Sequence, residues 1–393
     1  MSANVIFFPV SNGDMSLIEL DNDQCILIDI NIRGAADDED DDKPDVGSQL
    51  RRRLENRGRD EQGRLYVDTF CLTHPDQDHV AGLQNHFHLG PLDNWSEDDD
   101  KIIIREMWSS PIVFRRASSA NTLCEDAKAW NKEAKRRVQR YREVGLTVVD
   151  GERIMILGED RDGKTDDIPG IVAKIDTEIS QSNRVGGGGG FSARLLGPLP
   201  ATDDEDRETL VKNRSSVILR FSLHIGDDHG KCFFLTGGDA EVEIWKRLWN
   251  KHKDDHLDWL EYDILQTPHH CSWRSLSFDS WKEKGNDAKV DQDARSALSQ
   301  GRDGSVIVAS SKAIKADADN PPHHRAKEEY ISMVGDAETR FYCTDEEWDK
   351  SAQPLEFTIS DTVKKRSGKA AAIATKSLGI GATAAQARPH GQG

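Results

Sequence analysis

Residues 72–83, LTHPDQDHVAGL, place His74, Asp76, Asp78 and His79 within six positions, directly after the apolar-leaning run LYVDTFC. Carboxylates and imidazoles lose solvation at the end of a buried strand, so four together need a compensating charge. A divalent cation supplies it. Histidine brings borderline nitrogen and aspartate hard oxygen, a mixture suited to Zn²⁺ or Mn²⁺ rather than to a thiolate structural zinc site. Three later passages present the same residue types: Asp239 in LTGGDAE, His269 and His270 in QTPHHCS, and His323 and His324 in NPPHH. The two glycines before Asp239 permit close backbone approach, as a carboxylate shared by two ions requires. A pair of divalent ions activates a water for attack on phosphorus or a carbonyl and neutralises the oxyanion that forms.

These residues need strands to deliver them. NVIFFPV, MSLIEL and CILIDI read as three short strands separated by the turn-formers SNGD and DNDQ, the third ending at Asp29. VGSQLRRRLENRGR, with Leu50 and Leu54 four apart, predicts a short helix, and RLYVDTFCLTH returns as a strand that ends on the motif. VAGLQNHF then predicts a helix whose N-terminus faces the same spot. TLCEDAKAWNKEAKRRVQRYREVGL predicts a long helix ending near Gly145. Residues 128–142 hold seven Lys/Arg against one acid. A solvated face accounts for them, and the sharper alternative is a phosphate-tracking patch built on Lys135, Arg136, Arg137 and Arg140. SSVILRFSLHI, KCFFLTGGDAE, YDILQTPHHCSW and SVIVASS supply further strands, each with polar residues at or just past its C-terminal end. Ligands collect at such ends in layered α/β folds.

The five glycines at 186–190 fit neither a Walker loop nor a GxGxxG turn, which points to a flexible Gly-rich and acidic connector over 183–210. Six consecutive acids at 37–42 read as a solvated loop, and 361–393 as a disordered tail. A formal charge of −18 argues against a general nucleic-acid coat while leaving room for a local basic groove. The six cysteines are scattered without CxxC spacing, which suits free thiols in a reducing compartment. No run approaches a membrane span and the N-terminus lacks a basic leader, so the expectation is a cytoplasmic protein without membrane attachment. Ser215, Ser216 and Ser272 lack a GxSxG setting, and His86, His88, His224 and His229 are read as structural.

Taken in order, CILIDI, HPDQDH (74–79), LTGGDAE, TPHHCS and NPPHH resemble the signature elements of the metallo-β-lactamase fold, in its ComEC-like competence-protein branch. Asp76 stands where commoner members carry a second histidine. Three wordings depart from the branch: Cys271 replaces a glycine, His324 replaces a proline, and the N-terminal strand passage lacks VGQGD. The resemblance implies an α/β, four-layer αββα domain over 1–360, with a helical insertion at about 94–150. It also implies two divalent metal ions, with His74, Asp76 and His269 on one, Asp78, His79 and His323 on the other, and Asp239 between them. Asp78 and His270 would be the catalytic pair, His270 as general acid or as support for the departing oxygen. Asp29, Asn213 and His324 would orient ligands or line the site.

Together these lead to an expected metal-dependent hydrolase of phosphoester bonds, a nuclease or nucleotide phosphodiesterase acting through a metal-activated water. Two alternatives use the same fold: hydrolysis of a lactam, thioester or carboxylic ester, and a non-catalytic, metal-stabilised subunit that docks a protein partner through its insertion helix.

Overall fold

The computed structural model describes residues 2–34, 43–114, 123–160, 163–180, 190–199, 215–317, 320–336, 339–360 and 362–366. The acidic run 37–42 and Asn213 lie outside the described residues, as does most of the expected tail. Alternating apolar residues build the first strands: β1 (Ala3–Phe7), β2 (Ser16–Glu19) and β3 (Cys25–Ile28) form an antiparallel meander. In β3, Cys25 and Leu27 point to one face while Ile26 and Ile28 point to the other, and both faces are buried. After the two-residue β4 (Ile30–Asn31) comes α1 (Val46–Arg57), capped where Asp45 accepts from the Ser48 amide at 2.9 Å. The chain then lays β5 (Tyr66–Leu72) parallel to β3.

The single helix expected from VAGLQNHF is instead two short ones, α2 (Gln77–Val80) and α3 (Leu83–His86). Gly82, at φ 93° between them, explains the break: a side chain there would meet the Ile32 carbonyl oxygen at 2.5 Å. Next, β6 (Ile103–Ser109), α4 (Glu125–Val144), β7 (Arg153–Leu157) and β8 (Val172–Ala173) complete the parallel part of a nine-stranded sheet. The span expected as a helical insertion, about 94–150, thus carries a strand as well as the long helix. Strand β6 lies inside the sheet, and α4 buries Trp130, Ala134 and Val138 on its outer face at helical spacing.

The second half repeats the plan. Strands β9 (Glu178–Ser180), β10 (Phe191–Gly197), β11 (Ile218–Ile225) and β12 (Asp228–Thr236) run antiparallel. Residues 191–197, expected inside a flexible connector, are thus an integral strand. Helix α5 (Val242–His252) leads to β13 (Tyr262–Gln266), and α6 (Trp281–Lys284) and α7 (Gln292–Leu298) lead to β14 (Gly301–Ala309). After α8 (His324–Val334) and β15 (Phe341–Cys343), strands β12 to β15 complete a parallel run in a seven-stranded sheet. Helix α9 (Thr344–Ser351) returns the chain to the first sheet, where β16 (Leu355–Ile359) pairs with β1 and β17 (Val363–Lys365) pairs with β16. The first residues of the expected tail therefore belong to a strand.

Three apolar clusters separate four layers. One lies between α1, α4 and the first sheet, one between the two sheets, and one between the second sheet and α5, α7 and α8. This is the αββα order that the resemblance implies. Its consequence for chemistry is directional. Strands β3, β5, β12, β13 and β14 all end toward one edge of the sandwich, where the residues following them meet. Among the described residues no helix is long and apolar enough to cross a membrane.

Candidate metal centre

Asp29, in the left-handed region at φ 54° just past β3, turns its carboxylate under the end of β5. Its Oδ1 accepts from the Thr73 amide at 2.7 Å and its Oδ2 from Thr73 Oγ1 at 2.6 Å. The hydroxyl proton of Thr73 is therefore spent, so its oxygen accepts from His74 Nδ1 at 3.1 Å. Asp29 Oδ2 also receives His79 Nδ1 at 2.7 Å. One buried carboxylate thereby fixes the tautomer of both histidines and turns their Nε2 atoms toward the same space.

Asp239 enters that space from the other sheet. Gly238, at φ 47°, passes so close that a side chain on it would lie 2.9 Å from Thr73 Oγ1, and Ser216 Oγ accepts from the Asp239 amide at 3.1 Å. Asp239 Oδ2 stands 3.6 Å from His74 Nε2 and 3.5 Å from His269 Nε2, while Oδ1 stands 3.1 Å from His79 Nε2 and 3.6 Å from His270 Nε2. One carboxylate thus divides four imidazoles into two pairs. Asp76 approaches the first pair, 3.9 Å from His74 Nε2, and Asp78 the second, 3.3 Å from His270 Nε2.

Three consecutive left-handed residues, His269, His270 and Cys271 at φ 50°, 52° and 65°, aim the double histidine in two directions. Such conformations cost an L-residue on the order of 1–3 kcal/mol each and persist where the surroundings over-determine them. Here the His269 amide donates to the Gly238 carbonyl and the His323 amide to the Cys271 carbonyl, which pins the turn from both sides.

Electrostatics bear on what the cluster can hold. Burial alone would raise the Asp239 carboxyl, but His79, His270, His269 and His74 outweigh it and hold it well below the usual range. Burial opposes charge on His79 and His270, yet Asp239 with Asp29 raises the first well above normal, and Asp239 with Asp14 pushes the second up to about 10. Burial also works against the Asp78 carboxylate, and His270, 3.3 Å away, with the His79 charge overcomes it and lowers that group. His269 is lowered, chiefly by burial, and burial raises Asp29. The carboxylates therefore demand positive charge at the Nε2 positions. Among the described residues, His74, His79 and His270 Nε2 and Asp239 Oδ1 are buried without a hydrogen-bond partner. Buried polar atoms left unpaired and converging on one place fit divalent cations bound to nitrogen and oxygen.

The structure also corrects the expected roles. His323 does not join the cluster: its Nδ1 caps α8 by accepting from the Arg325 amide at 3.2 Å, and its ring packs on Trp273 and Trp281 at 5.9 and 4.8 Å. His324 is half-buried, its Nδ1 3.0 Å from the Asp317 carbonyl. His270, read from sequence as a proton donor, lies beside His79, with Nε2 3.3 Å from Asp78 Oδ2 and 3.6 Å from Asp239 Oδ1. Of the expected basic contacts, Arg137 is buried, giving Nε to Glu133 and its other nitrogens to the Arg153 and Ile104 carbonyls. Arg136 pairs with Glu133, and Arg140 with Glu152 and Glu143. Lys135 alone of the four is exposed. Of the three arginines only Arg137 lies against the sheet, while Arg136 and Arg140 stay partly exposed and are neutralised by neighbouring acids.

Asp14 is the residue that sequence reasoning missed. Its Oδ1 is 3.2 Å from His270 Nδ1 and its Oδ2 3.9 Å from His79 Nδ1. Asp14, His79, Asp239 and His270 can present ligand atoms within 4.8 Å of one another. Asp14 precedes a strand instead of following one. Because β2 runs antiparallel to β3, its start lies beside the end of β3, with Ser16 opposite Ile28. Gly13 is the available signal: any side chain there would strike Asn31 Nδ2 at 2.1 Å and the Asp78 carbonyl at 2.7 Å.

No family model and no curated protein matches the chain. Among solved structures it is similar to a diphosphatase of the PhnP family, at 11% identity over 91% of this chain and 98% of that one, TM-score 0.36. It is also similar to unliganded yeast PDE1, at 10% identity over 87% and 97% of the two chains, TM-score 0.39. With both scores below 0.5, the chemistry is read from the side chains above.

Proposed function

We propose that the chain is a metal-dependent hydrolase of phosphoester bonds that holds two divalent ions, Zn²⁺ or Mn²⁺, and belongs to the ComEC-like branch. One observation carries this reading: the two oxygens of Asp239 face different imidazole pairs, His74 with His269 and His79 with His270. In this reading Asp76 completes the first set and Asp78 the second. When bound, the ions supply Lewis acidity and a water of lowered pKa.

The chain's own residues supply the rest. Asp29 fixes His79 directly and His74 through Thr73. Asp14 does the same for His270 from behind. With Nδ1 engaged in His74 and His79, only Nε2 of those two rings can face a ligand, and they need not reorganise during turnover. Two divalent ions would carry four positive charges against the three carboxylates that face them, Asp76, Asp78 and Asp239, with Asp14 and Asp29 set behind the rings, so the open face would favour an anionic phosphoryl group over a neutral ester.

The test is metal analysis followed by turnover. Wild-type protein loaded with Zn²⁺ or Mn²⁺ should bind about two ions per chain. It should also hydrolyse members of a panel of dinucleotide, cyclic nucleotide, single-stranded DNA and single-stranded RNA in preference to neutral esters. A loaded protein that turns over none of the phosphodiesters contradicts the proposal.

A further inference from the structure

Beside the cluster a cavity of about 510 Å³ opens between the turn after the double histidine and the start of α5. It adjoins the site through chain neighbours on two sides: Glu241 follows Asp239 by two residues and bears electrostatically on His269, while Trp273 follows His270 by three. Its walls are aromatic. Trp273 and Trp281 meet edge to face at 5.5 Å, and Phe278 lines the cavity with 59% of its surface exposed. A large apolar ring left so open beside polar neighbours is unusual unless something covers it.

The rim is polar and mixed in sign. Arg274 and Lys282 face Glu241, Glu243 and Asp279, with Ser277, Ser280 and Asn320 between them. Asn320 is pre-set, because its Oδ1 accepts from both Ser272 Oγ at 2.8 Å and the Trp273 amide at 3.0 Å. An alkyl group would make no use of the polar rim, and a long polyanion would meet the carboxylates of Glu241, Glu243 and Asp279. A single planar heteroaromatic ring satisfies both demands, stacking on the aromatic walls while its edge exchanges hydrogen bonds with the rim. The volume is that of a small-ligand pocket, within the roughly 300–1,000 Å³ such sites occupy.

We infer that this cavity receives the nucleobase of a nucleotide-sized phosphodiester, so that the enzyme selects small nucleotide substrates over polymers. The inference rests on the hydrolase reading for its substrate, but binding tests it independently of turnover. By calorimetry on the metal-loaded protein, adenosine 5′-monophosphate should bind at least about tenfold more tightly than ribose 5-phosphate, which shares its phosphate and sugar. The difference should shrink severalfold in Phe278→Ala, whose side chain is too exposed to matter for folding, and in Trp281→Phe it should be retained. Equal affinities in the wild type, or a preference untouched by Phe278→Ala, would overturn the inference while leaving hydrolysis intact. If nucleotide preference persists in a protein that hydrolyses no phosphodiester, the cavity stands and the hydrolase reading falls.

Discussion

Compared side by side, the buried charges at the strand ends and those under α4 are built to opposite ends. Under α4, Glu133 accepts from Arg136, Arg137 and the Gly90 amide, while Arg137 spends its remaining nitrogens on the Arg153 and Ile104 carbonyls. Each of these charged groups has protein partners. At the strand ends, Asp29 and Asp14 engage the backs of the imidazoles, and the Nε2 atoms of His74, His79 and His270 are left without a hydrogen-bond partner. Burial and ion pairing do not distinguish the two. What separates a structural charge cluster from a candidate metal centre is whether the unpaired atoms converge.

That contrast can be broken at its centre. Asp239→Ala should take bound metal from about two ions per chain to near zero by elemental analysis, and lower phosphodiester hydrolysis by roughly a thousandfold or more. The fold should persist, because removing a carboxylate from among four imidazoles relieves no packing. Glu133→Ala should do the reverse. It strands Arg137 in the core at a cost of roughly 3–5 kcal/mol, visible as a lowered thermal midpoint, while metal content per folded chain stays at the wild-type value. If Glu133→Ala instead emptied the metal centre, the two clusters would be coupled and the distinction lost.

Smaller changes sharpen the comparison. Asp14→Asn and Asp29→Asn keep the shape but weaken the carboxylates that orient the rings, so metal affinity should fall about 10- to 100-fold in each, measured by chelator competition. The α4 cluster also has a pH signature. Burial raises the Glu133 carboxyl, but Arg136 and Arg137 overcome it and bring it down from 4.5 to about 2. A depressed carboxyl contributes stability that is fully present above its unfolded value and is lost as pH falls through the folded one. Between about pH 4.5 and 2 the wild type should therefore lose on the order of 3 kcal/mol that Glu133→Gln never had. Urea melts across that window would show parallel curves for the two proteins if the pairing were unimportant.

Legibility from sequence followed the same division. His74, Asp76, Asp78, His79, Asp239, His269 and His270 could be picked out because each closes or follows an apolar strand, and a polar cluster there has a solvation problem that its neighbours in sequence cannot solve. Asp14 could not be, since SNGD is an ordinary turn until β2 is known to start where β3 ends. His323 had the right residue type after the right strand, but Trp273 and Trp281 hold its ring away from the others. The arginines of α4 read as a surface patch because a one-dimensional count of charge carries no information on which face is covered.

The amino-acid order by itself determined the layered α/β plan and the kind of donor atoms gathered at the strand ends, because apolar periodicity and side-chain chemistry are local properties. Only the tertiary structure decided that Asp239 divides the imidazoles two and two, that Asp14 backs His270, and that Arg137 faces inward. Those outcomes depend on strand direction and on how two sheets face one another, and such relations join segments as far apart in sequence as Asp14 and His270, where no local pattern reaches.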